Sequence, residues 1–270
     1  MSSSMSGSAP EVPIMEAPII EACGVAKRYG AFEALAATSL TIDVGEIVAI
    51  VGANGSGKST LLRLLAGVGG ERPSEGVVRL EGKSWTRDAA ARVRAFVPQR
   101  PDVAADFTAR EVVRLGRFAR GFDEGAVDRA LAIVGFAARA NRAVDTLSGG
   151  ERQRVAVARA LAQVDGAKRP LLLLDEPFSG IDPGEVARVI VSLRDIARSG
   201  AVVLSLHDPG LARLIATRAL VLREGRVLFD GPAREVLTTA NLSAAYRHPM
   251  MESAEWLAPV IVEKGTMDPC

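Results

Sequence analysis

The stretch "EIVAIVGANGSGKSTLLRLLAG", residues 46–67, constrains the fold more than any other part of the chain. Ile47 to Val51 is an almost unbroken run of β-branched and small apolar residues, which suits a strand covered on both faces, as in a parallel sheet. "GANGSGKS", from Gly52 to Ser59, follows with the spacing G-x-x-x-x-G-K-S/T, and "STLLRLLAG" has helical spacing with Gly67 available as a stop. Strand, glycine loop and helix in that order make a phosphate cradle. The glycines let backbone N–H groups turn inward with no Cβ in the way, and the helix N-terminus adds its dipole. Lys58 would bring positive charge to the β- and γ-phosphates, and the Ser59 hydroxyl can ligate Mg²⁺. The expected nucleotide loop is therefore Gly52, Ala53, Asn54, Gly55, Ser56, Gly57, Lys58, Ser59 and Thr60.

Two further apolar runs behave like the first. "LLLL", Leu171 to Leu174, ends in Asp175 and Glu176, and "AVVLSL", Ala201 to Leu206, ends in His207 and Asp208. A helical stretch, "GEVARVIVSLRDIARSG", separates them. Buried strands alternating with helices predict an open α/β sheet with right-handed crossovers, whose ligands sit beyond the carboxyl ends of the strands. The loop, the Asp-Glu pair and the histidine would then converge on one crevice. An Asp at the end of an apolar strand can hold Mg²⁺ directly or through water. Glu176 has the chemistry to take a proton from an attacking water, although it could instead open a turn before Pro177. His207 is expected near the γ-phosphate. "AREVVRLGRFARG" and "EGAVDRALAIVGF" predict helices with no strand between them, an inserted subdomain. "RALVLREGRVLFDG" predicts a hairpin about a Glu-Gly turn. "IIEACGVAKRYG" and "TSLTIDVGE" predict short strands of an antiparallel edge.

A second glycine-rich helix start, "LSGGERQRVAVARALAQ", needs its own explanation. Ser148 with Glu151 three residues on makes a capping box. Gly149 and Gly150, however, weaken a helix by up to about 1 kcal/mol each relative to Ala. Close approach of an anion would justify them. The chain's own phosphates already have a cradle, so this helix end would serve another nucleotide, offered by one chain to its partner across a two-fold axis.

"GANGSGKST", "VPQ" with Gln99, "LSGGERQR", "LLLLDEP", "SGID" and "LHD" occur in the order found in the ATP-binding cassette ATPases, and "KRYG" at Lys27 to Gly30 matches as well. The resemblance covers about residues 19–240. It implies an α/β P-loop NTPase core with a parallel sheet, an N-terminal antiparallel β subdomain and an inserted helical subdomain at about 100–147. The chain is then expected to divide into a disordered leader over 1–17, the nucleotide-binding domain over 18–240 and a short tail over 241–270. In such a protein Tyr29 would stack on adenine, and Gly52 to Thr60 would bind the phosphates of ATP. Ser59 and Gln99 would ligate Mg²⁺ with support from Asp175. Glu176 would be the general base, and His207 would contact the γ-phosphate. Ser148, Gly149 and Gly150 would contact the partner's γ-phosphate, and Asp182 would connect the two sites. Ile181 stands where the family often has leucine.

Composition narrows the class. Of 270 residues, 33 are Lys or Arg and 32 Asp or Glu, a net charge of +1 that leaves no electrostatic footprint for nucleic acid. Two cysteines, Cys23 and Cys270, cannot form a disulfide framework, which points to a reducing, cytosolic setting. "MSSSMSGSAPEVP" has neither a basic n-region nor an apolar core, so a leader is expected there and not an export signal. No apolar run approaches the roughly 20 residues needed to span a bilayer. A stand-alone cassette is similar to the ATPase subunit of a bacterial importer. "FTAREVVRLGR" and "GPAREVLTTANLSAAY" resemble segments of importers of metal chelates: iron–siderophore, haem or cobalamin. The implied partners are a second nucleotide-binding subunit as a homodimer, a transmembrane permease received near Gln99 and residues 100–118, and indirectly a substrate-binding protein. The implied location is the cytoplasmic face of the cell membrane. A soluble cassette ATPase acting on nucleic acid or ribosomes, and the ATPase subunit of a two-chain exporter, are the alternatives.

Overall fold

The computed structural model describes residues 17–68, 70–84, 87–101 and 106–252. Nearly all of the expected leader, residues 1–16, and the end of the expected tail, 253–270, lie outside the described residues.

Two sheets organise the chain. The smaller contains β1 (Ile20–Tyr29), β2 (Phe32–Ile42), β4 (Glu75–Leu80) and β5 (Lys83–Ser84), all antiparallel, in the order β2-β1-β4-β5. The larger contains β3 (Ile47–Gly52), β6 (Arg94–Val97), β7 (Leu171–Asp175), β8 (Ala201–Leu206), β9 (Arg218–Arg223) and β10 (Arg226–Pro232), in the order β10-β9-β3-β8-β7-β6. Its strands run parallel except β10, which returns antiparallel to β9 through the Glu224-Gly225 turn.

The unbroken apolar runs have a direct physical cause. Side chains alternate across a strand, and here both faces are covered. Ile47, Ala49, Val51, Leu172, Leu174, Val202 and Leu204 enter one core, shared with the helical insert and the C-terminal helices. Val48, Ile50, Leu171, Leu173, Ala201 and Val203 enter the other. That second core also takes Leu61, Leu62, Leu64 and Leu65 of helix α1 (Lys58–Ala66), and Ile20, Val25, Leu35 and Ile42 of the antiparallel sheet. Helix α1 is thus sandwiched between the two sheets. Each fully buried Leu, Ile or Val side chain contributes about 1.5–3 kcal/mol. The helix ends at Gly67, whose left-handed backbone (φ 57°) lets its N–H reach the carbonyls of Arg63 and Leu64.

The insert comprises α3 (Ala109–Leu115) and α4 (Glu124–Ile133); α2 (Arg87–Val93) leads into the edge strand β6 before it, and α5 (Gly149–Val164) follows it. Thr108 and Asp123 cap α3 and α4 through their side chains. Helix α3 is shorter than the periodicity over 109–121 predicts. It stops at Gly116, where a Cβ would lie 2.4 Å from the Arg159 carbonyl of α5, so the two backbones pass too closely for a side chain. Strands β4, β5 and β6 are additions to the sequence-based expectation.

After α6 (Pro183–Ala197) and α7 (Pro209–Ile215), the chain finishes with α8 (Ala233–Val236) and α9 (Thr239–Tyr246). The domain boundary drawn at residue 240 falls inside α9. That helix buries Leu242 and Ala245 in the main core, so the folded unit continues beyond 240. Among the described residues, no helix is long and apolar enough to cross a membrane.

Candidate functional site

Parallel pairing brings the ends of four strands to one edge. Val51 lies opposite Leu206, Leu174 opposite Val97, and Asp175 opposite Ser205. The segments that follow β3, β6, β7 and β8 therefore emerge side by side. They border a cleft of about 410 Å³ lined by Tyr29, Asn54 to Thr60, Gln99, Glu176 and His207.

The loop's glycines are required by two close approaches. At Gly52 a Cβ would lie 2.3 Å from the Leu222 carbonyl of β9 and 2.7 Å from Ser56 Oγ. Gly57 precedes α1 with φ 101°, and its Cβ would come within 2.9 Å of the Ala34 carbonyl. Lys58, almost wholly buried, donates from Nζ to the carbonyls of Gly52 (2.8 Å) and Ala53 (3.1 Å). Burial pushes its ammonium below the ordinary lysine range, while the charges of Glu176 and Asp175 act in the opposite sense. The lysine is held along its own loop with two carboxylates nearby.

Asp175 is fully buried. Its Oδ1 accepts from Ser59 Oγ (3.0 Å) and Ser205 Oγ (2.6 Å), whereas its buried Oδ2 has no hydrogen-bond partner. A buried carboxylate oxygen left unpaired is costly, and a hard cation or its water would satisfy it. The hydroxyl of Ser59, the amide oxygen of Gln99 and this carboxylate are the oxygen donors Mg²⁺ prefers, so the residues present fit that ion.

Glu176 is held at every polar atom. Its N–H donates to Ser205 Oγ (3.0 Å), and its carbonyl accepts from Gln153 Nε2 (3.4 Å) and from the Ser179 N–H (3.3 Å). Oε2 accepts from Gln99 Nε2 (2.6 Å), and Oε1 meets His207 Nε2. The residue has φ 50° and directly precedes Pro177. A non-glycine residue in the left-handed region costs of order 1–3 kcal/mol and persists only where its surroundings over-determine it. Ser205 and Gln153 were not singled out from sequence. The available signal for Ser205 was a lone hydroxyl inside the otherwise apolar run "AVVLSL". For Gln153 it was a polar residue on the buried side of α5.

At the other end of the cleft, Tyr29 donates to Glu71 Oε1 (2.7 Å). Lys27 Nζ binds Glu71 Oε2 (2.7 Å) and lies 5.0 Å from the tyrosine ring centre. Burial alone would raise the Glu71 carboxyl, but the bonds from Lys27 and Tyr29 outweigh it and hold the group below the usual range. The Tyr29 ring stays about half exposed on the cleft wall.

Ser148, Gly149, Gly150 and Asp182 do not line this cleft. Ser148 caps α5 in a reciprocal box with Glu151: the Ser148 N–H donates to Glu151 Oε2 (2.9 Å), and the Glu151 N–H to Ser148 Oγ (3.3 Å). The two glycines have different causes. A Cβ at Gly150 would lie 2.1 Å from the Gly180 carbonyl, a close approach within the chain that by itself requires glycine there. At Gly149 the space is open, and Ser148 and Gly149 are exposed. Asp182 begins α6 without using its side chain as a cap. Behind them, the ion pair of Arg154 with Glu185 ties α5 to α6.

A phosphate cradle with a carboxylate poised beside its lysine defines the class as a nucleotide-hydrolysing P-loop ATPase, with an exposed, glycine-opened helix start set apart from the cleft. The chain belongs to the ABC transporter family, whose model matches residues 35–179, more than half of its length. It is 46% identical to the hemin import ATP-binding protein HmuV of Nocardia farcinica over 219 residues, 77% of this chain and 74% of that relative. It is 42% identical to the cobalamin import ATP-binding protein BtuD of Halobacterium salinarum over 229 residues, 78% of this chain and 56% of that relative. Among solved structures it resembles an inward-facing metal-chelate type ABC transporter, with a TM-score of 0.69 at 30% identity over 86% of this chain and 90% of that one.

Proposed function

We propose that this chain is the ATP-hydrolysing subunit of an importer that takes up a metal chelate, with haem the cargo of choice, through a separate membrane permease. The 46% identity to a hemin import ATP-binding protein carries the choice of cargo. In this reading Tyr29 stacks on adenine, and the loop from Gly52 to Thr60 with Lys58 holds the phosphates. Ser59, Gln99 and Asp175 would hold Mg²⁺, which would supply positive charge to offset that of the phosphates. Glu176 releases one of its present hydrogen bonds and takes the proton of the attacking water, while His207 contacts the γ-phosphate.

A second copy supplies Ser148, Gly149 and Gly150 to the γ-phosphate, and Asp182 connects the two sites. Closure of the pair is driven by ATP only to the extent that ATP binds the closed state more tightly. The surface near Gln99 and residues 100–118, of which 102–105 lie outside the described residues, receives the permease on the cytoplasmic face of the membrane. The exposed Leu115 and Phe118 on that subdomain support this placement.

The test is reconstitution with the cognate permease in vesicles, supplying haem, a ferric siderophore or cobalamin. Haem uptake that needs MgATP and is lost with Lys58→Ala is the expected result. ATPase activity stimulated by nucleic acid or ribosomes and indifferent to the permease, or movement of cargo away from the binding-protein side, would overturn it.

A further inference from the structure

Ser205 is the one hydroxyl within the β8 run, and it is fully buried at the strand's carboxyl end. A lone serine among Ala201, Val202, Val203, Leu204 and Leu206 is unfavourable for packing unless its hydroxyl is used. Here it is used in both directions. The hydroxyl donates its single proton to Asp175 Oδ1 at 2.6 Å and accepts the Glu176 N–H at 3.0 Å. It is thus bonded to the last residue of β7 and to the residue that follows it, the candidate metal-supporting carboxylate and the candidate base.

The two bonds do different things. The first fixes the rotation of the Asp175 carboxylate, keeping Oδ1 occupied and leaving Oδ2 as the oxygen without a partner. The second satisfies the amide of a residue forced to φ 50°, where the backbone can no longer continue the parallel ladder. With that amide pinned, the Glu176 side chain turns back toward Gln99 and His207.

We propose that Ser205 is a positioning residue for hydrolysis: one buried hydroxyl sets the Asp175 carboxylate and the Glu176 backbone in a common register. It touches neither nucleotide nor water, and it acts through the two carboxylates. The proposal rests on the reading of Glu176 as base and Asp175 as metal support.

The experiment uses the full chain with Ser205→Ala and Ser205→Thr, beside Glu176→Gln. It measures kcat, KM for ATP, the melting temperature, and the Mg²⁺-dependent rise in melting temperature at saturating ATP. Ser205→Ala should fold, bind ATP without Mg²⁺ within about twofold of the parent, and lose roughly tenfold in kcat. The extra stabilisation conferred by Mg²⁺ should shrink, because Asp175 is no longer oriented. Ser205→Thr keeps the hydroxyl and should recover most of the turnover. A Ser205→Ala chain with kcat within about twofold of the parent overturns the proposal, as does one in which kcat and metal-free ATP binding fall together. So does a threonine variant with parental melting temperature that is as slow as the alanine variant. Parental turnover in Glu176→Gln would instead refute the base reading, whatever Ser205 does.

Discussion

The two glycines that open α5 make opposite predictions when each is replaced by alanine. At Gly150 the new methyl would lie 2.1 Å from the Gly180 carbonyl, a backbone atom that cannot swing aside. Overpacking of this kind costs about 1–3 kcal/mol, and the gain in helix propensity of up to about 1 kcal/mol only partly offsets it. For a domain of this size each lost kcal/mol lowers the melting temperature by roughly 2–4 °C. Gly150→Ala should therefore melt several degrees below the parent. At Gly149 the methyl meets no atom within 4 Å, so Gly149→Ala should melt at or slightly above the parent. Its cost should appear only where a second chain's phosphate has to approach. ATPase turnover should then fall by about tenfold or more, equivalent to ~1.4 kcal/mol, and ATP-driven pairing measured by light scattering should weaken. Thermal melts and steady-state hydrolysis on both variants separate the two effects. A Gly149→Ala chain that pairs and hydrolyses like the parent would refute the shared site. A Gly150→Ala chain that melts no lower would refute the assignment of that glycine to the Gly180 contact.

Other consequences are equally direct. Tyr29→Ala should lose a base-stacking contribution of ~1–3 kcal/mol, weakening ATP binding roughly 5- to 150-fold in a fluorescent-nucleotide titration. Tyr29→Phe, which removes only the Glu71 bond, should stay within about threefold. Equal losses in the two variants would move the effect from the ring to the hydroxyl. Arg154→Met should leave Glu185 without its main partner at a largely buried interface, costing about 3 kcal/mol and roughly 6–12 °C of melting temperature. A shift under about 2 °C would show that the pair does not tie α5 to α6.

Several features were legible without coordinates because they depend on local chemistry. The order of strand, glycine loop and helix at 47–66 follows from β-branching, glycine spacing and Gly67. The helix Pro183–Ala197 and the hairpin at Glu224-Gly225 follow from periodicity and turn residues. The cleft residues Tyr29, Lys58, Gln99, Glu176 and His207 were marked by motif, and they line one cavity because parallel strands deliver their carboxyl ends to one edge. The early end of α3 was not legible, since Gly116 answers to the Arg159 carbonyl in a distant helix. The continuation past residue 240 was missed for a similar reason: a short helix with a weak apolar face is decided by the core it covers.

By itself, then, the amino-acid sequence determined which side chains could carry the chemistry: a lysine and glycines for phosphate, a buried Asp followed by Glu, and a capped second helix start. These depend on residue type and spacing over fewer than about ten positions, the range in which backbone geometry is set locally. Only the tertiary structure decided which of those residues have a neighbour and which stand open. It assigned Gly150 to Gly180 and left Gly149 free. It left one oxygen of Asp175 unpaired, and placed Ser205 and Gln153 against the backbone of Glu176. Such contacts join residues about 20–30 positions apart, and packing of the sheet against α5 sets them.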